Sequence, residues 1–356
     1  MCSKPSVPEL SGETSNALPP RPVTHDINRR EFITRTALGA AALGLGCASA
    51  RSGQTASEPG AMFVSLPPWA VARTVGWPEQ ARLAAHLGYK GIDWPFGAVR
   101  EAGVDATRAL LAELNIVPTI VNLPMRDPLG PDDAAFREQL PKLDEDAAFC
   151  RAIGCSRFQF VLSPTTLNGE SKAERRLLAL RRLSMISTVL AKHEMRMGLE
   201  FLGPLIFRMR PRREGVAIDS TSPPPVPFVW TLRETLALAR ASGPSIGITL
   251  DAWHWYHSGG TVADIRAAEA SRIVHVHVSD ARPMRAEQVR DDMRWLPGEG
   301  VIDLVGFFKA LKAIGYRGGV APETIGPRIP ADMPPEESAR IALEATLKVM
   351  RKAGVA

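Results

Sequence analysis

Four short apolar runs in the second half of the chain each contain or end in a side chain that can bind a metal ion. They are Glu200 in MRMGLEF, Asp251 in SIGITLD, His277 in RIVHVHVSD and Glu323 in GGVAPE. Carboxylates and imidazoles are common ligands of divalent cations and common general acids and bases. Three carboxylates that converge would repel one another unless a cation neutralised them. We therefore expect one divalent metal ion, and Mn²⁺, Co²⁺, Mg²⁺, Fe²⁺ and Zn²⁺ all suit such ligands.

The alternation of side chains along these runs predicts that the four groups share one face. Successive side chains of a strand point to opposite faces. In RIVHVHVSD, Val274, Val276 and Val278 suit an outer face, so His275 and His277 point inward. The other three runs show the same pattern of apolar outer positions and a polar inner position. We therefore expect all four candidate ligands on one inner face.

The elements that must position these groups alternate along the chain. From about residue 61, eight short apolar runs are each followed by a helix-like run, which predicts parallel strands joined by helices. Eight such units over roughly 290 residues indicate an α/β fold, a (β/α)8 TIM barrel, rather than an open doubly wound sheet. We expect one domain over residues 61–356. Barrel enzymes carry their catalytic groups at the carboxyl ends of the strands, where the four candidate ligands lie.

The first 50 residues have a different composition. Residues 1–28 are rich in Pro, Ser and Thr and are expected to be disordered. Arg29 and Arg30, followed by the short apolar stretch TALGAAALGLG and small residues, are typical of a twin-arginine export signal. Two cleavage patterns fit, a lipoprotein acceptor at Cys47 and the small residues 48–50. The prediction is a periplasmic protein or a membrane-anchored lipoprotein.

The overall composition excludes some partners. The formal net charge is +5, but the charges are interspersed and no basic run alternates with aromatic residues. We therefore expect no nucleic-acid partner. Cys150 and Cys155 match no zinc motif and are expected to be buried free thiols, with a disulfide after export as the alternative. A lipid anchor and a homo-oligomer are left open.

Motifs along the whole exported part resemble a known family. GYKGIDW, LEFLGP, LDAWHWY, HVHVSD, LPGEGVIDL and GYRGGVAPE together resemble the xylose isomerase-like barrels called sugar phosphate isomerases/epimerases, which include ketose 3-epimerases and inosose dehydratases. In the ketose 3-epimerase branch, Glu, Asp, His and Glu of the last four strands hold the metal. The resemblance therefore implies Glu200, Asp251, His277 and Glu323 as ligands. It leaves His275 as a residue of the inner wall.

The resemblance also suggests which residues contact the substrate. The Asp-x-x-His pattern places His254 beside it, and Arg282 or Arg285 would be the family's substrate-binding arginine unless both lie on the surface. Asp93 on the second strand faces inward by alternation and could contact substrate or form a salt bridge. Trp253 could pack against a sugar face, with core packing as the alternative.

Two local features leave further alternatives. Pro322 stands directly before Glu323, where many members have a residue that can donate to the sheet, and it could shift Glu323 slightly. The segment with Arg294, Trp295 and Glu299 could cover the site or form a structural turn.

The chemistry implied is proton transfer next to a carbonyl. The leading hypothesis is an isomerase or epimerase that acts on a small sugar or polyol through an enediolate, with Glu200 and Glu323 as acid and base. The alternative is a lyase, dehydratase or hydrolase acting on keto-sugars or keto-glycosides, and the non-enzymatic alternative is an exported sugar-binding lipoprotein. DNA repair is disfavoured, because apurinic endonucleases of this barrel use additional histidines on earlier strands, where this chain has none.

Overall fold

The computed structural model describes residues 61–167, 169–209 and 226–356. The predictions of N-terminal disorder, of the export signal and of lipidation at Cys47 fall outside these residues. Within the described ranges, no helix is both long enough and apolar enough to cross a membrane.

The barrel is built from short parallel strands. Those in the described residues are β1 Phe63–Leu66, β2 Gly91–Ile92, β3 Val117–Pro118, β4 Val121–Asn122, β5 Arg157–Leu162, β6 Arg196–Phe201, β7 Ile246–Asp251, β8 Ile273–Val278 and β9 Gly319–Pro322. Their order in the sheet is β3-β2-β1-β9-β8-β7-β6-β5-β4. The two ends of this order, β3 and β4, are consecutive pieces of one extended run. The sheet therefore closes on itself as eight barrel strands, which confirms the predicted TIM barrel.

Helices connect the strands. The α-helices of the described residues are α1 Pro68–Val71, α2 Glu79–Leu87, α3 Phe96–Ala102, α4 Val104–Leu114, α5 Asp133–Glu138, α6 Leu140–Ala152, α7 Lys172–Lys192, α8 Leu205–Met209, α9 Leu232–Ser242, α10 Ala252–His257, α11 Val262–Arg266, α12 Leu304–Ala313 and α13 Pro335–Lys352. The longest, α7, begins at a capping box in which Ser171 and Glu174 bind each other's backbone N–H. Such a cap provides partners for N–H groups that the first helical turn leaves free.

The hydrophobic core lies between the sheet and the helices. Val276 and Val278 of β8 belong to one cluster with Phe307 and Leu311 of α12. This places the two valines on the outer face of the barrel, as the alternation predicted. Burial of each such side chain contributes about 1.5–3 kcal/mol to folding.

One position differs from the simple alternation. The register of β7 and β8 pairs Ile248 with Ile273 and Thr249 with His275, and so skips Val274. The extra residue forms a β-bulge, and Ile273 joins the core cluster in the outer position predicted for Val274. His275 is unaffected by this local change, because the regular pairing resumes at that residue.

The inner face of the barrel is crowded next to the predicted ligands. A methyl group on Gly198 of β6 would lie 2.3 Å from Oγ1 of Thr249 and 2.8 Å from its backbone nitrogen. Glycine is therefore required where β6 and β7 approach each other. Gly198 and Thr249 both face the interior, as predicted.

Candidate metal centre

The four predicted ligands lie at the carboxyl ends of four neighbouring strands. Glu200 belongs to β6, Asp251 ends β7, His277 belongs to β8 and Glu323 directly follows β9. One potential ligand atom of each residue lies within 4.8 Å of those of the other three. All four residues are buried, none more than 5% exposed. The geometry suits a shared cation, and their role as ligands stays a prediction.

His277 is enclosed by two of the carboxylates. Its Nδ1 lies 2.9 Å from Oε1 of Glu200 and 2.7 Å from Oε2 of Glu323. Burial alone would lower the pKa of His277, but the charges of Glu323 and Glu200 outweigh it and raise the pKa well above its usual value. The two carboxylates therefore favour a positive charge on His277.

Glu323 has the properties of a group that exchanges protons near neutral pH. Burial raises its pKa to about 7, although Arg294 and His277 act in the opposite direction. General acids and bases work best when their pKa lies near the working pH. Pro322 does not prevent this placement, since it is the last residue of β9 and pairs with Val278.

Arg294 is a fully buried arginine at the cluster. Its Nη1 donates to Oδ2 of Asp251 at 2.7 Å, and its Nη2 lies 3.3 Å from Oε1 of Glu323. Burial alone would lower the pKa of Arg294, but Asp251 and the neighbouring carboxylates raise it well above its usual value. The three negative charges of the cluster carboxylates would be neutralised by the two positive charges of a divalent ion and the one of this guanidinium. The sequence predicted that the segment with Arg294 either covers the site or forms a structural turn, and it did not single out Arg294 as a member of the cluster.

Hydrogen bonds of Asp280, which lies just after β8, hold the loop that carries Arg294. Oδ1 of Asp280 accepts a hydrogen bond from the backbone of Ile302, and Oδ2 accepts one from Gly298, both at 3.0 Å. Asp280 and Trp295 also exchange two backbone hydrogen bonds. The aspartate of HVHVSD therefore positions Arg294, the residue before Trp295.

His254, which the resemblance placed beside the substrate, lies next to Asp251 and Arg294. Its Nε2 is 3.6 Å from Oδ2 of Asp251 and 3.3 Å from Nη2 of Arg294. Burial lowers the pKa of His254 and outweighs the charge of Asp251. A neutral ring at this point can both accept and donate a hydrogen bond.

The other residues expected to contact substrate lie elsewhere. Arg282 is exposed, with its guanidinium 5.0 Å from the ring centre of Trp295, and Arg285 is exposed beside Gln288. Trp253 is 1% exposed and belongs to the hydrophobic core. The structure thus favours surface positions for the two arginines, because both side chains are exposed. It favours core packing for the Trp253 ring, although the backbone N–H of Trp253 donates to Oδ1 of Asp251 at 2.8 Å and the ring lies 5.6 Å from the guanidinium of Arg294.

The remaining inner-wall groups lie beneath the cluster or at its entrance. Asp93, His275 and His277 form a second group whose ligand atoms lie within 4.8 Å of one another. Trp69 of α1, which the sequence did not single out, is 45% exposed, and its ring centre lies 6.0 Å from that of His277. An exposed indole beside buried charges gives the entrance an apolar surface.

Comparison with known proteins finds matches over most of the described residues. A family model described as "Xylose isomerase-like TIM barrel" matches residues 81–350. The inosose isomerase of Halalkalibacterium halodurans is 25% identical over 224 residues, which are 62% of this chain and 71% of that protein. The inosose isomerase of Bacillus licheniformis is 31% identical over 108 residues, 30% of this chain and 38% of that protein.

Solved structures extend the comparison over most of the chain. A xylose isomerase domain protein from Alicyclobacillus acidocaldarius is 29% identical with a TM-score of 0.70, covering 83% of this chain and 100% of its own. A structure described as "IOLI protein with a binding zinc atom" is 19% identical with a TM-score of 0.67, covering 82% and 99%. At that identity, the second likeness concerns the fold alone.

Proposed function

This chain belongs to the xylose isomerase-like TIM barrel family, and on that premise we propose that it is a divalent-metal-dependent isomerase or epimerase. The substrate would be a small sugar or polyol, and the reaction would pass through an enediolate. The observation that carries this proposal is the meeting of Glu200, Asp251, His277 and Glu323 within 4.8 Å. The relatives named inosose isomerase support a substrate of the inosose class.

The residues present fit a divalent ion. Three carboxylates and one imidazole are a mixed ligand set that suits first-row divalent metals, and their buried charge calls for a cation. Glu200, Asp251, His277 and Glu323 would hold it. When bound, the ion would polarise the substrate carbonyl and stabilise the negative charge of an enediolate.

Glu200 and Glu323 are the groups that would move the proton. Their oxygens approach Nδ1 of His277 from β6 and from the end of β9, which flank β7 and β8 in the sheet. In the proposed reaction they would act on a substrate carbon from two sides. Glu323, with a pKa of about 7, can accept and return a proton at neutral pH. Gln159 holds Glu200 in place by donating to its Oε2 at 3.1 Å.

Three further residues would orient the substrate. Arg294 and His254 offer hydrogen-bonding groups next to Asp251. Trp69 offers an exposed ring face to the C–H groups of a sugar or polyol at the entrance. Together they would present the carbon next to the carbonyl to the two glutamates.

The test is to replace each glutamate by its amide. We expect Glu200→Gln and Glu323→Gln each to reduce turnover by at least about 10²–10⁴-fold, because each removes a proton-transfer group. Inososes and ketoses would be the substrates, with product analysis and with solvent deuterium uptake at the carbon next to the carbonyl as readouts. Glu299→Gln is the matched control, since Glu299 pairs with Arg328 outside the cluster. Full activity of either variant would contradict the proposal.

The same two carboxyl groups also fit a lyase or dehydratase. A carboxyl group with a pKa of about 7, as in Glu323, can protonate a leaving hydroxyl as well as a carbon. Recovery of an unsaturated or cleaved product from keto-sugars or keto-glycosides would support this class, or a hydrolase, over an isomerase. Binding without any deuterium uptake or product would instead support the non-enzymatic alternative of a sugar-binding lipoprotein.

We propose in addition that the protein acts outside the cytoplasm. The support is Arg29 and Arg30 before a short apolar stretch. Replacement of both arginines by lysine should retain the protein in the cytoplasmic fraction. Unchanged export of that double variant would refute the twin-arginine route.

A further inference from the structure

Beneath the candidate metal centre, Asp93 lies against two imidazole rings. Its Oδ1 accepts hydrogen bonds from Oγ of Ser65 at 2.8 Å and from Oγ1 of Thr119 at 2.5 Å. Its Oδ2 lies 3.4 Å from Nε2 of His275 and 3.9 Å from Nε2 of His277. The hydroxyls hold one oxygen, and the other, which makes no hydrogen bond to a described residue, is aimed at the two rings.

The two ring nitrogens of His277 have different neighbours. Nδ1 faces Glu200 and Glu323 in the cluster, whereas Nε2 faces Asp93. A neutral imidazole that binds a metal through Nδ1 must carry its hydrogen on Nε2. Ligating histidines almost always donate this second N–H to a carboxylate, carbonyl or water, which fixes the ring and strengthens the ligand. Asp93 is the carboxylate in that position.

We propose that Asp93 is a positioning residue, whose negative charge 3.9 Å from Nε2 of His277 favours the hydrogen on that nitrogen and thereby directs Nδ1 to the metal. His275 would support the arrangement by donating from its own Nε2 to the same oxygen of Asp93. This role replaces the substrate contact predicted for Asp93 from the sequence. The inference rests on the proposed function, since it requires a metal at the four-residue cluster.

The same three residues do not favour a second metal ion. His277 has two ring nitrogens, and it could serve two ions at once only by losing both of its hydrogens, which a neutral imidazole does not do near neutral pH. The positive charge of Arg157 also acts on His275 and disfavours further positive charge there. Asp93 therefore fits the role of a residue that positions the ligand of one ion better than the role of a ligand to a second ion.

The test compares metal binding by the wild-type protein and Asp93→Asn. Asparagine keeps the size of the side chain and an oxygen for the hydroxyls of Ser65 and Thr119, but it removes the charge. We expect Zn²⁺ affinity, measured by calorimetry against a competing chelator, to fall about 10–100-fold. In the Zn²⁺-loaded wild type, NMR should show a slowly exchanging imidazole N–H of His277, which Asp93→Asn should lose or shift.

A matched control separates this effect from loss of a buried aspartate. Asp146 is fully buried and pairs with Arg100 at 2.6 Å, on α6 rather than on the inner wall of the barrel. Asp146→Asn should lower stability while leaving Zn²⁺ affinity unchanged. Thr119→Val, which removes one hydrogen bond to Asp93, should weaken Zn²⁺ binding about fivefold; it keeps the test open should Asp93→Asn fail to fold.

The outcomes distinguish the inference from the function on which it rests. Equal Zn²⁺ affinity and an unchanged N–H signal in folded Asp93→Asn, or unchanged affinity in Thr119→Val if Asp93→Asn does not fold, would overturn the positioning role alone. Two ions per wild-type chain, with one lost in Asp93→Asn, would also overturn it. No stoichiometric binding of any divalent metal to the wild type would remove the proposed function as well.

Discussion

At the scale of single residues, charge balance explains why Arg294 is buried. A guanidinium without a partner would not be kept in the interior, because desolvation of a charge costs several kcal/mol. Here Arg294 contacts Asp251 and Glu323, two carboxylates that are themselves buried. The positive charge of Arg294 therefore offsets part of the negative charge of the cluster. The exposed Arg282, which stacks on Trp295, does not.

Substitution of the two arginines should give very different results. Arg294→Gln should lower kcat/KM by at least about 100-fold, because it leaves Asp251 and Glu323 without their buried counter-charge, and it should lower the free energy of unfolding by about 3–5 kcal/mol. Arg282→Gln should change it by less than about fivefold, since an exposed cation–π contact contributes about 0.5–1 kcal/mol. Steady-state kinetics of both variants would decide. An equal loss of kcat/KM in both variants would support the substrate-binding role that the resemblance suggested for Arg282.

At the scale of elements, the strands could be predicted better than their pairing. Alternation along each apolar run correctly placed Val276 and Val278 on the core side and Gly198 and Thr249 inside. It was wrong for Val274, because a bulge between neighbouring strands depends on pairing that a single run does not contain. An extra residue is common where a barrel strand must bend.

Close contact between strands predicts the effect of a small substitution. Gly198→Ala should destabilise the protein by about 1–3 kcal/mol, because the added methyl group meets the side chain and backbone of Thr249. Gly97→Ala is the control, since nothing lies within 4 Å of a methyl group there, and it should cost nothing. The free energy of unfolding in urea measures both. A neutral Gly198→Ala would show that β6 and β7 separate easily.

At the scale of the whole molecule, closure of the barrel assembles the candidate site. Glu200 and Glu323 are far apart in the chain but meet at one imidazole, because β6 to β9 are consecutive in the sheet. Asp93, from the opposite part of the barrel, reaches the same imidazole from below. A bound metal would therefore connect strands distributed around the barrel, and its binding energy would stabilise the folded state.

The thermal stability of the whole protein should depend on metal and on pH together. At about 100 times the dissociation constant, a metal ion should stabilise the fold by about 2.7 kcal/mol. The gain should shrink as the pH falls from 8 to 6, because protons on His277, whose pKa is raised, and on Glu323, with a pKa of about 7, compete with the ion. Each proton displaced weakens binding about tenfold per pH unit below the pKa.

The measurement is the midpoint of thermal unfolding with Mn²⁺ or Zn²⁺ and with a chelator, at both pH values. Asp251→Asn is the matched variant and should lose the gain. A gain that is the same at pH 6 and pH 8 would contradict proton competition, and no gain at either pH would contradict metal binding.

The sequence alone determined the barrel and its four candidate ligands, because side-chain periodicity and motif order are local properties that a strand or helix carries with it. Only the tertiary structure decided that Arg294 rather than Arg282 lies at the cluster, that Trp253 belongs to the core, and that Asp93 faces the imidazole of His277. These outcomes depend on which loop folds over which strand end. Contacts between residues distant in the chain are set by the packing of the whole barrel, which no local pattern records.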